Sequence, residues 1–596
     1  MGLSSTLSNA LSGMNASQRG LEVISRNVAN AGTPGYHRQS VVLTETNYGQ
    51  ASQVRMGTIQ RAFDQALQKQ HLISVSDTSY HAARANFLDR LQIEMGKPGD
   101  TNSLDTLYTA FENALQALAT TPDSMPNRAA VLNAAQAMVE RLNGLSGAVQ
   151  AMRHEAEIQI ASGVADLNRN LVNLADINNR ILDTSFDPAA RLAMMDERDR
   201  LVPAIGEMID VSVSYRDNGT VALMTKSGVG LLDNQPSEFQ FSTGGAVSAT
   251  GQTGLLELVT PSGHRVQMNG LVASGRIAGL LEMRDNTLVN AQNQLDEIAA
   301  GLALAMSTLS PDTGVTEAAG TYTVDLAAMQ RGDSFALTYL DGGVERTVRV
   351  VFADTSVTDP ANVNAAGERV IQLDLGDAGD AATALQAALG TAFTFGDDGG
   401  DGLTIEGDAA TLLGVASRIT ATAEQGGGLG LPLFTDAGGK PFTNSLDGAR
   451  QKMGFASRIA INQALIGNTD LLVKSTADTS LGDAARPNYL LENLRTMQFV
   501  SENRTALSDG GVRLSGRVGD IIGQTINYQG DTVARGFAQY EAGTMTLDAV
   551  LTRMESTYGV DIDQEMAKLM ELQNAYSAGA RVVSTVQELI DALLAM

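Results

Sequence analysis

Apolar residues recur at every seventh position at the start of the chain. One column is formed by Leu7, Met14, Leu21 and Val28, and a weaker one by Leu3, Ala10, Ser17 and Ile24. Two such columns over about four heptads are typical of a helix with a narrow apolar seam. Residues 30–36, NAGTPGY, contain a proline and two glycines and predict where this helix ends.

The end of the chain repeats the pattern. One column comprises Ile562, Leu569, Tyr576, Val583 and Ile590, and its neighbour comprises Glu565, Leu572, Gly579, Val586 and Leu593. A narrow apolar seam in water needs a partner helix. We expect that partner to be the other terminal helix or, failing that, a neighbouring copy of the chain. The alternative is an ordinary bundle core, but small seam residues such as Gly20 and Gly579 favour helices that order on assembly.

Long helices are predicted between residues 61 and 205, with breaks before Pro122 and Pro188. The charge run DERDR at 196–200 is interpreted as a solvated helix face, with Asp196 and Arg200 at i,i+4 spacing. A further heptad column predicts a buried bundle helix and consists of Leu281, Leu288, Leu295, Leu302 and Leu309.

Two regions change to the alternation of a β-strand. Residues 211–223 alternate around an Asp-Asn-Gly turn, and residues 335–352 alternate around Asp-Gly-Gly, so each predicts a hairpin. Residues 311–445 hold 19 acidic and 6 basic residues, a net of −13, and 21 of these 135 residues are glycine. We interpret this segment as an inserted β-rich domain with an acidic surface. A partly disordered acidic loop is the alternative.

The predicted fold class is therefore multidomain α+β, with terminal coiled-coil helices, a long-helix bundle and inserted β-rich domains. The domains are nested, and their expected ranges are 1–49 with 545–596 for the coiled coil, 50–205 with 275–310 and 446–544 for the bundle, and 206–274 and 311–445 for the β-rich parts.

Charge and composition narrow the function classes. Lysines and arginines number 41 against 67 acidic residues, so the net charge of −26 argues against a protein that wraps nucleic acid. The chain has no cysteine, which removes disulfides, thiolate metal sites and cysteine nucleophiles. We expect no membrane span and no cleavable signal peptide, because no sufficiently long apolar run is present.

Motifs for catalysis or cofactor binding are not recognisable. The five histidines form no zinc-binding spacing, and no phosphate-binding or nucleophile motif occurs. A partial calcium-loop pattern runs from Asp397 through Asp401 and Gly402 to Asp408, but position 12 lacks its glutamate, which favours a chance match. We therefore predict no enzyme activity, no cofactor and no metal ligand.

Two longer stretches carry a family resemblance. Residues 23–41, VISRNVANAGTPGYHRQSV, resemble the N-terminal signature of the bacterial flagellar rod, hook and hook-associated proteins. Within this N-terminal run, Arg38-Gln39 resembles the hook-associated version of the signature. Residues 560–594 are similar to the matching C-terminal signature. Long helices after residue 60 and the run MDERDRLV at 195–202 also favour a hook-associated member. The resemblance covers about 1–309 and 446–596 and leaves the acidic insert unmatched.

This resemblance implies a structural adaptor in the bacterial flagellum, between hook and filament. Its subunits would form a ring through their terminal helices, and its partners would be the hook protein, a second junction protein and an export chaperone at the C-terminal helix. The type III route of the flagellum would export it from the cell. The expected interface residues are Leu3, Leu7, Met14, Leu21, Ile24, Val28, Asn30, Pro34, Gly35, Tyr36, Ile562, Met566, Leu569, Leu572, Tyr576, Val583, Val586, Ile590 and Leu593.

Two other functions stay open at this point. One is another axial protein of the same organelle, a hook protein or a flagellin-like protein. The other is an exported binding or enzymatic module carried in residues 311–445.

Overall fold

The computed structural model of the chain describes residues 3–48, 51–183, 187–244, 248–249, 253–364, 367–407, 411–445, 451–500 and 514–595. Its helices are α1 (Leu3–Ala29), α2 (Gln65–Met95), α3 (Leu104–Thr120), α4 (Met125–Leu182), α5 (Pro188–Met208), α6 (Arg276–Glu282), α7 (Leu288–Ser307), α8 (Ala378–Leu389), α9 (Gln463–Gly467), α10 (Ala485–Thr496), α11 (Val518–Tyr558) and α12 (Ile562–Leu594). No helix in the described parts is both long enough and apolar enough to span a bilayer.

Strands form seven small sheets among the described residues. They are β1 (Gln39–Tyr48), β2 (Ala51–Arg61), β3 (Ser212–Tyr215), β4 (Val221–Met224), β5 (Gly230–Leu232), β6 (Glu238–Ser242), β7 (Leu255–Val259), β8 (Arg265–Gln267), β9 (Val315–Ala318), β10 (Thr321–Asp325), β11 (Ser334–Asp341), β12 (Val344–Phe352), β13 (Arg369–Leu373), β14 (Phe393–Asp397), β15 (Gly402–Gly407), β16 (Leu412–Arg418), β17 (Phe434–Asp436), β18 (Lys440–Pro441), β19 (Ala460–Ile461), β20 (Phe499–Val500) and β21 (Ser515–Gly516). The multidomain α+β prediction is confirmed.

A helical body built around one continuous core is the centre of the molecule. Helices α2–α7, α10 and α11 contribute to it together with the small sheets β3-β4-β5 and β6-β7-β8. The longest element, α4, has 58 residues and would extend about 87 Å at 1.5 Å per residue. Both predicted proline breaks are confirmed, because α3 ends at Thr120 and α5 begins at Pro188 with the Asp187 carboxylate accepting from Ala190 N.

The predicted leucine column is buried, as expected for a bundle helix. Leu288, Leu295 and Leu302 are 0% exposed. A π-helical turn, Met283–Thr287, interrupts the helix before Leu288 and places Arg284, itself 0% exposed, inside the body. Arg284 Nη1 lies 3.3 Å from the buried Glu157 Oε1, and Arg284 Nη2 donates to Gly254 O at 2.9 Å. A buried ion pair therefore ties α4 to the π-helical turn, and Gly254, before β7, is hydrogen-bonded to both of its members.

The insert is a separate unit with its own core. Its two four-stranded sheets run in the orders β14-β15-β10-β9 and β13-β12-β11-β16 and enclose a cluster that extends from Leu309 to Ala421. The predicted hairpin is β11–β12, paired antiparallel from Phe335↔Val350 to Asp341↔Val344. One helix, α8, packs beside β14, so the insert is β-rich but not all-β.

Three predicted domain boundaries do not coincide with the structure. Leu431, Phe434 and Phe442 lie in the core of the body, so the insert's core ends before the predicted 445. The boundary at 49/50 falls between β1 and β2, which pair as one hairpin. The boundary at 544/545 falls inside α11, because one continuous helix serves both the body and the terminal region.

The insert joins the body through a narrow two-stranded neck. Leu309 N donates to Ile419 O and Ala421 N donates to Ser307 O, each at 2.8 Å. Asp333, which is 1% exposed, stabilises this neck through three hydrogen bonds. Its Oδ1 accepts from Thr420 Oγ1 at 2.7 Å and from Thr420 N at 3.0 Å. Its Oδ2 accepts from Gln330 N at 3.0 Å. Burial raises the pKa of Asp333 from 3.8 to about 7.

We predict that Asp333→Asn flattens the pH dependence of unfolding. Between pH 4 and 7 the folded carboxyl holds more protons than the unfolded one, so its contribution to the free energy of unfolding falls as pH rises through that window, by roughly 2–4 kcal/mol. Urea titrations followed by circular dichroism at pH 5 and pH 8 measure the difference between the variant and the wild type.

The control is Asp359→Asn at an exposed position of the same insert. The account of the neck is wrong if Asp333→Asn and Asp359→Asn change the pH dependence equally.

Candidate functional site

The two ends of the chain lie together as an antiparallel helix pair. Helix α12 lies along α1, so of the two partners left open by the sequence the structure shows the other terminal helix. At two positions the absence of a side chain permits this contact. A Cβ at Gly579 would lie 2.7 Å from Met14 Cγ, and a Cβ at Gly20 would lie 2.6 Å from Leu572 Cδ1.

The interface residues expected from the sequence are distributed along this pair at different depths. Ile24 and Val586 are buried, whereas the half-buried members are Leu3, Leu7, Met14, Leu21, Val28, Asn30, Tyr36, Leu569, Leu572, Val583 and Ile590. The exposed members are Pro34, Gly35, Ile562, Met566, Tyr576 and Leu593. The centre of the seam on α1 also includes Ser17, Gly20, Val23 and Asn27, which were not among the expected interface residues.

One flank of α12 is only partly covered by the rest of the chain. Its apolar side chains, which we call the outer stripe, are Ile562, Met566, Leu569, Tyr576, Val583 and Ile590. Ile562 is 51% exposed and Met566 43%, although both belong to an otherwise regular amphipathic pattern. Within the part of α12 that the structure describes, only Glu565 and Val586 are buried. The single chain therefore leaves a long apolar surface in water.

Asn27 is the polar centre of the seam. Its Nδ2 donates to Glu565 Oε2 and to Gln39 O, both at 2.9 Å. Its Oδ1 accepts from Tyr36 Oη at 2.8 Å and from Gln39 N at 3.0 Å. The amide thus uses two donors and two acceptors, which its complete burial demands. Burial, reinforced by the Asp196 carboxylate, raises the pKa of Tyr36 to about 12, so its hydroxyl remains a donor.

The stretch NAGTPGY forms the turn between α1 and the β1–β2 hairpin. Asn30 Nδ2 donates to Arg26 O at 2.9 Å and closes the end of the helix. Gly35 has a φ of 77°, and a Cβ there would lie 2.5 Å from Arg200 Cγ. Glycine is therefore required both by the backbone conformation and by the close approach of α5.

The charge run on α5 is not the solvated face that its composition indicated. Asp196, Arg198 and Asp199 are 7%, 3% and 6% exposed. Arg61, at the end of β2, donates to Asp196 Oδ1 at 2.7 Å and to Asp199 Oδ2 at 2.5 Å. Arg198 also lies 2.7 Å from Asp199. The predicted Asp196–Arg200 pair is replaced by Arg200–Glu197 at the surface. We call these buried groups, with His37, the junction cluster.

His37 extends the junction cluster to α2 and α11. Its Nδ1 lies 3.1 Å from Asp196 Oδ1, and its Nε2 lies 3.3 Å from the amide nitrogen of Gln68. An amide nitrogen can only donate, so His37 Nε2 is placed to accept from Gln68, and Nδ1 faces the Asp196 carboxylate. The ring also packs 4.8 Å from that of Tyr558, whose hydroxyl donates to Asp64 O at 2.8 Å. Four separate segments therefore meet where the terminal pair joins the body.

Sequence reasoning did not assign this cluster to the site. His37, Arg61, the pair Asp196 and Asp199, and Tyr558 come from four distant parts of the sequence, and nothing in the spacing of these parts links them. A weak signal existed in the spacing of Asp196 and Asp199, which places both carboxylates on one helix face.

In the part of the chain that the structure describes, side chains that could bind a metal ion are not clustered. Among the described residues no group of three or more histidine or acidic side chains is placed to hold an ion. The partial calcium pattern lies at the turn between β14 and β15, where Asp397 and Asp398 accept from the backbone of Gly399 and Gly400. Asp408, its last member, is outside the described residues.

Three family models match separate parts of the chain. Residues 88–320 match the family of the flagellar hook-associated protein FlgK helical domain. Residues 7–37 match the flagella basal body rod protein family, and residues 553–596 match the C-terminal family of the basal body rod FlgEFG proteins. The two rod-type matches coincide with α1 and its turn and with α12.

Individual relatives agree with these matches. Flagellar hook-associated protein 1 of Salmonella typhimurium is 24% identical over 99% of this chain and 100% of its own. The protein of the same name from Bacillus subtilis is 26% identical over 46% of this chain and 59% of its own. The solved flagellar hook junction protein FlgK from Burkholderia pseudomallei aligns with a TM-score of 0.47 and 12% identity over 83% of this chain and all of that chain.

We predict that Gly579→Ala weakens the helix pair whereas Gly13→Ala strengthens it. Both exchanges should gain up to about 1 kcal/mol of helix propensity. At Gly579 the new methyl group meets Met14, but at Gly13 no atom lies within 4 Å. Thermal unfolding followed by circular dichroism measures the difference. Equal stabilisation by both exchanges would contradict the close packing described here.

We also predict that Arg61→Ala destabilises the junction by about 3–5 kcal/mol, since it leaves two buried carboxylates without this cation. Hydrogen exchange at residues 36–40 should rise with it. Arg200→Ala serves as the control, because Arg200 pairs with Glu197 at the surface and should change stability by less than about 1 kcal/mol. A loss of the same size in both variants would mean that burial of the cluster is unimportant.

Proposed function

Because the chain belongs to the family of flagellar hook-associated protein 1, we propose that it is a structural adaptor at the junction between the flagellar hook and the filament. In this proposal its copies assemble as a ring through their terminal helices. The observation that carries the proposal is the outer stripe of α12, which the chain itself covers only in part.

The energetics of the outer stripe support self-assembly or assembly with related proteins. Burying a large apolar side chain contributes about 1.5–3 kcal/mol, so several such side chains per copy suffice to drive association. Met14 against Gly579 and Leu572 against Gly20 show that the helix pair already packs at close range inside one chain. Further helices of neighbouring copies fit the same kind of seam, and so do rod-type helices of neighbouring axial proteins.

The proposed partners follow from this surface and from the family. They are other copies of the chain, the hook protein and the second junction protein, each presenting helices to the outer stripe. Before assembly the outer stripe must be kept from contact with other apolar surfaces. We propose that an export chaperone binds α12 and covers it. The proposed route out of the cell is the type III export apparatus of the flagellum, which places the protein outside the cell. The proposed role is structural and not enzymatic.

The test places charges in the outer stripe and leaves the seam between α1 and α12 unchanged. We expect Met566→Glu with Tyr576→Glu, at side chains 43% and 38% exposed, to leave a folded, soluble protein. Association should fall on the order of a hundredfold or more, because two apolar contacts per copy become charged. The readout is filament attachment, counted by electron microscopy in cells whose only copy is the variant.

The matched control is Ser577→Glu with Ser584→Glu, which adds the same charge to exposed positions outside the stripe. Removal of residues 562–596 should reproduce the loss of filaments with the body still folded. Normal filament attachment by either the stripe variant or the truncated protein would refute the proposal.

A further inference from the structure

Helix α12 carries a second apolar column besides the outer stripe. Its members are Ala575, Val582 and Leu589, which follow one another at every seventh position, and we call them the rear stripe. All three are exposed, Val582 to 41% and Leu589 to 49%. The fold of the single chain therefore leaves a second apolar surface of this helix in contact with water.

The two stripes lie on opposite flanks of the seam. The positions of α12 that meet α1, as their contacts and burial show, are Glu565, Leu572, Gly579 and Val586. Apart from Met566, residues of the outer stripe precede such a position by three, as Tyr576 precedes Gly579. Residues of the rear stripe follow one by three, as Val582 follows Gly579. At 3.6 residues per turn the two groups lie about 60° to either side of the seam, so one partner helix cannot cover both.

Charged residues limit the rear stripe to the second half of α12. Lys568 stands one heptad before Ala575, and Glu571 lies on the same flank. The part of α1 that accompanies the second half is uncharged, because residues 3–18 contain neither acidic nor basic residues. The rear stripe and its surroundings can therefore leave water without the cost of desolvating an ion.

A neighbouring copy of the chain supplies a surface that fits each stripe. The outer stripe is also free of charged side chains, so the two stripes can face each other without burying an ion. The small side chains of Ala575 and Ala578 permit the close approach of large ones such as Tyr576, as Gly579 does for Met14 within the seam. If the outer stripe met its own counterpart across a two-fold axis, the rear stripe would stay in water. Contact of outer stripe with rear stripe covers both in every copy.

We propose that the rear stripe of one copy docks on the outer stripe of the next, so that copies of the chain join head to tail. This rests on the proposed function, because it identifies the two surfaces through which the copies would form their ring. A head-to-tail contact repeats from copy to copy, which a ring of more than two subunits requires.

The first test places charges in the rear stripe. We expect Val582→Glu with Leu589→Glu to weaken association on the order of a hundredfold and to abolish filament attachment, because two apolar contacts per copy become charged. Both side chains are exposed in the single chain, so the variant should remain folded and soluble. The matched control is again Ser577→Glu with Ser584→Glu, which should attach filaments normally.

The second test identifies what covers each stripe. The chain has no cysteine, so a variant with Leu569→Cys and Val582→Cys reacts with a short bismaleimide only at the middle of the two stripes. These positions are 13 residues apart on one helix, about 20 Å, so the linker cannot join them within a chain. In flagella assembled from this variant, head-to-tail contacts should give a ladder of multimers on denaturing gels. Each single cysteine variant should remain monomeric, and Leu569→Cys with Ser584→Cys should give no ladder.

Three results would overturn the proposal. Dimers from either single cysteine variant would mean that a stripe meets its own counterpart across a two-fold axis. Absence of the ladder in assembled flagella would mean that another protein covers the stripes. Filament attachment that survives charges in the rear stripe but not in the outer stripe would remove the rear stripe and leave the proposed function intact. Attachment that survives charges in the outer stripe as well would count against the proposed function itself.

Discussion

The contact on which the terminal region depends joins residues 538 positions apart in the chain, Asn27 and Glu565. The ends of a folded chain usually fray, and an isolated helix with glycines in its seam is weak. Here each terminal helix supplies the only long apolar partner that the other has in the described structure. Everything between them must therefore fold so that both helices return to one place. The nested order of the domains follows from this constraint, because each insertion leaves the body and comes back to it.

Helix α11 shows how the return is achieved. Its first turns are buried in the body beside α7, and from about its middle, where Gly536 allows the close approach of Leu88, it runs along α2. One continuous helix thus carries the chain from the core to the start of α12. The insert is kept out of this path: its core is separate, and it is attached through the neck locked by Asp333. Differences in the insert between relatives can therefore be accommodated without moving the terminal pair.

Much of the fold follows from periodicity in the sequence. The heptad columns predicted α1, α12 and the buried leucines of α7, and strand alternation predicted the hairpins β3–β4 and β11–β12. Prediction from the sequence pattern was wrong where the burial of a side chain does not follow from its residue type. The run DERDR has the composition of a surface, and only the arrival of Arg61 from β2 turns two of its carboxylates inward. Two predicted domain boundaries were wrong because α11 and the β1–β2 hairpin each belong to both the body and the terminal region. No change in the sequence pattern therefore marks the limit between these two regions.

The two polar sites of the terminal region differ in what they contribute. In the junction cluster Arg61 and Arg198 balance Asp196 and Asp199, so no net charge is buried there. Such clusters add little net stability compared with apolar packing, because desolvation cancels most of the Coulomb attraction. Their hydrogen bonds are directional, however, and they constrain the direction in which the hairpin and α1 leave the body. The hydrogen bond between Asn27 and Glu565 holds the start of α12 against the end of α1. The apolar seam supplies attraction and, through the fit of Met14 on Gly579 and of Leu572 on Gly20, part of its own alignment, to which these directional polar contacts add.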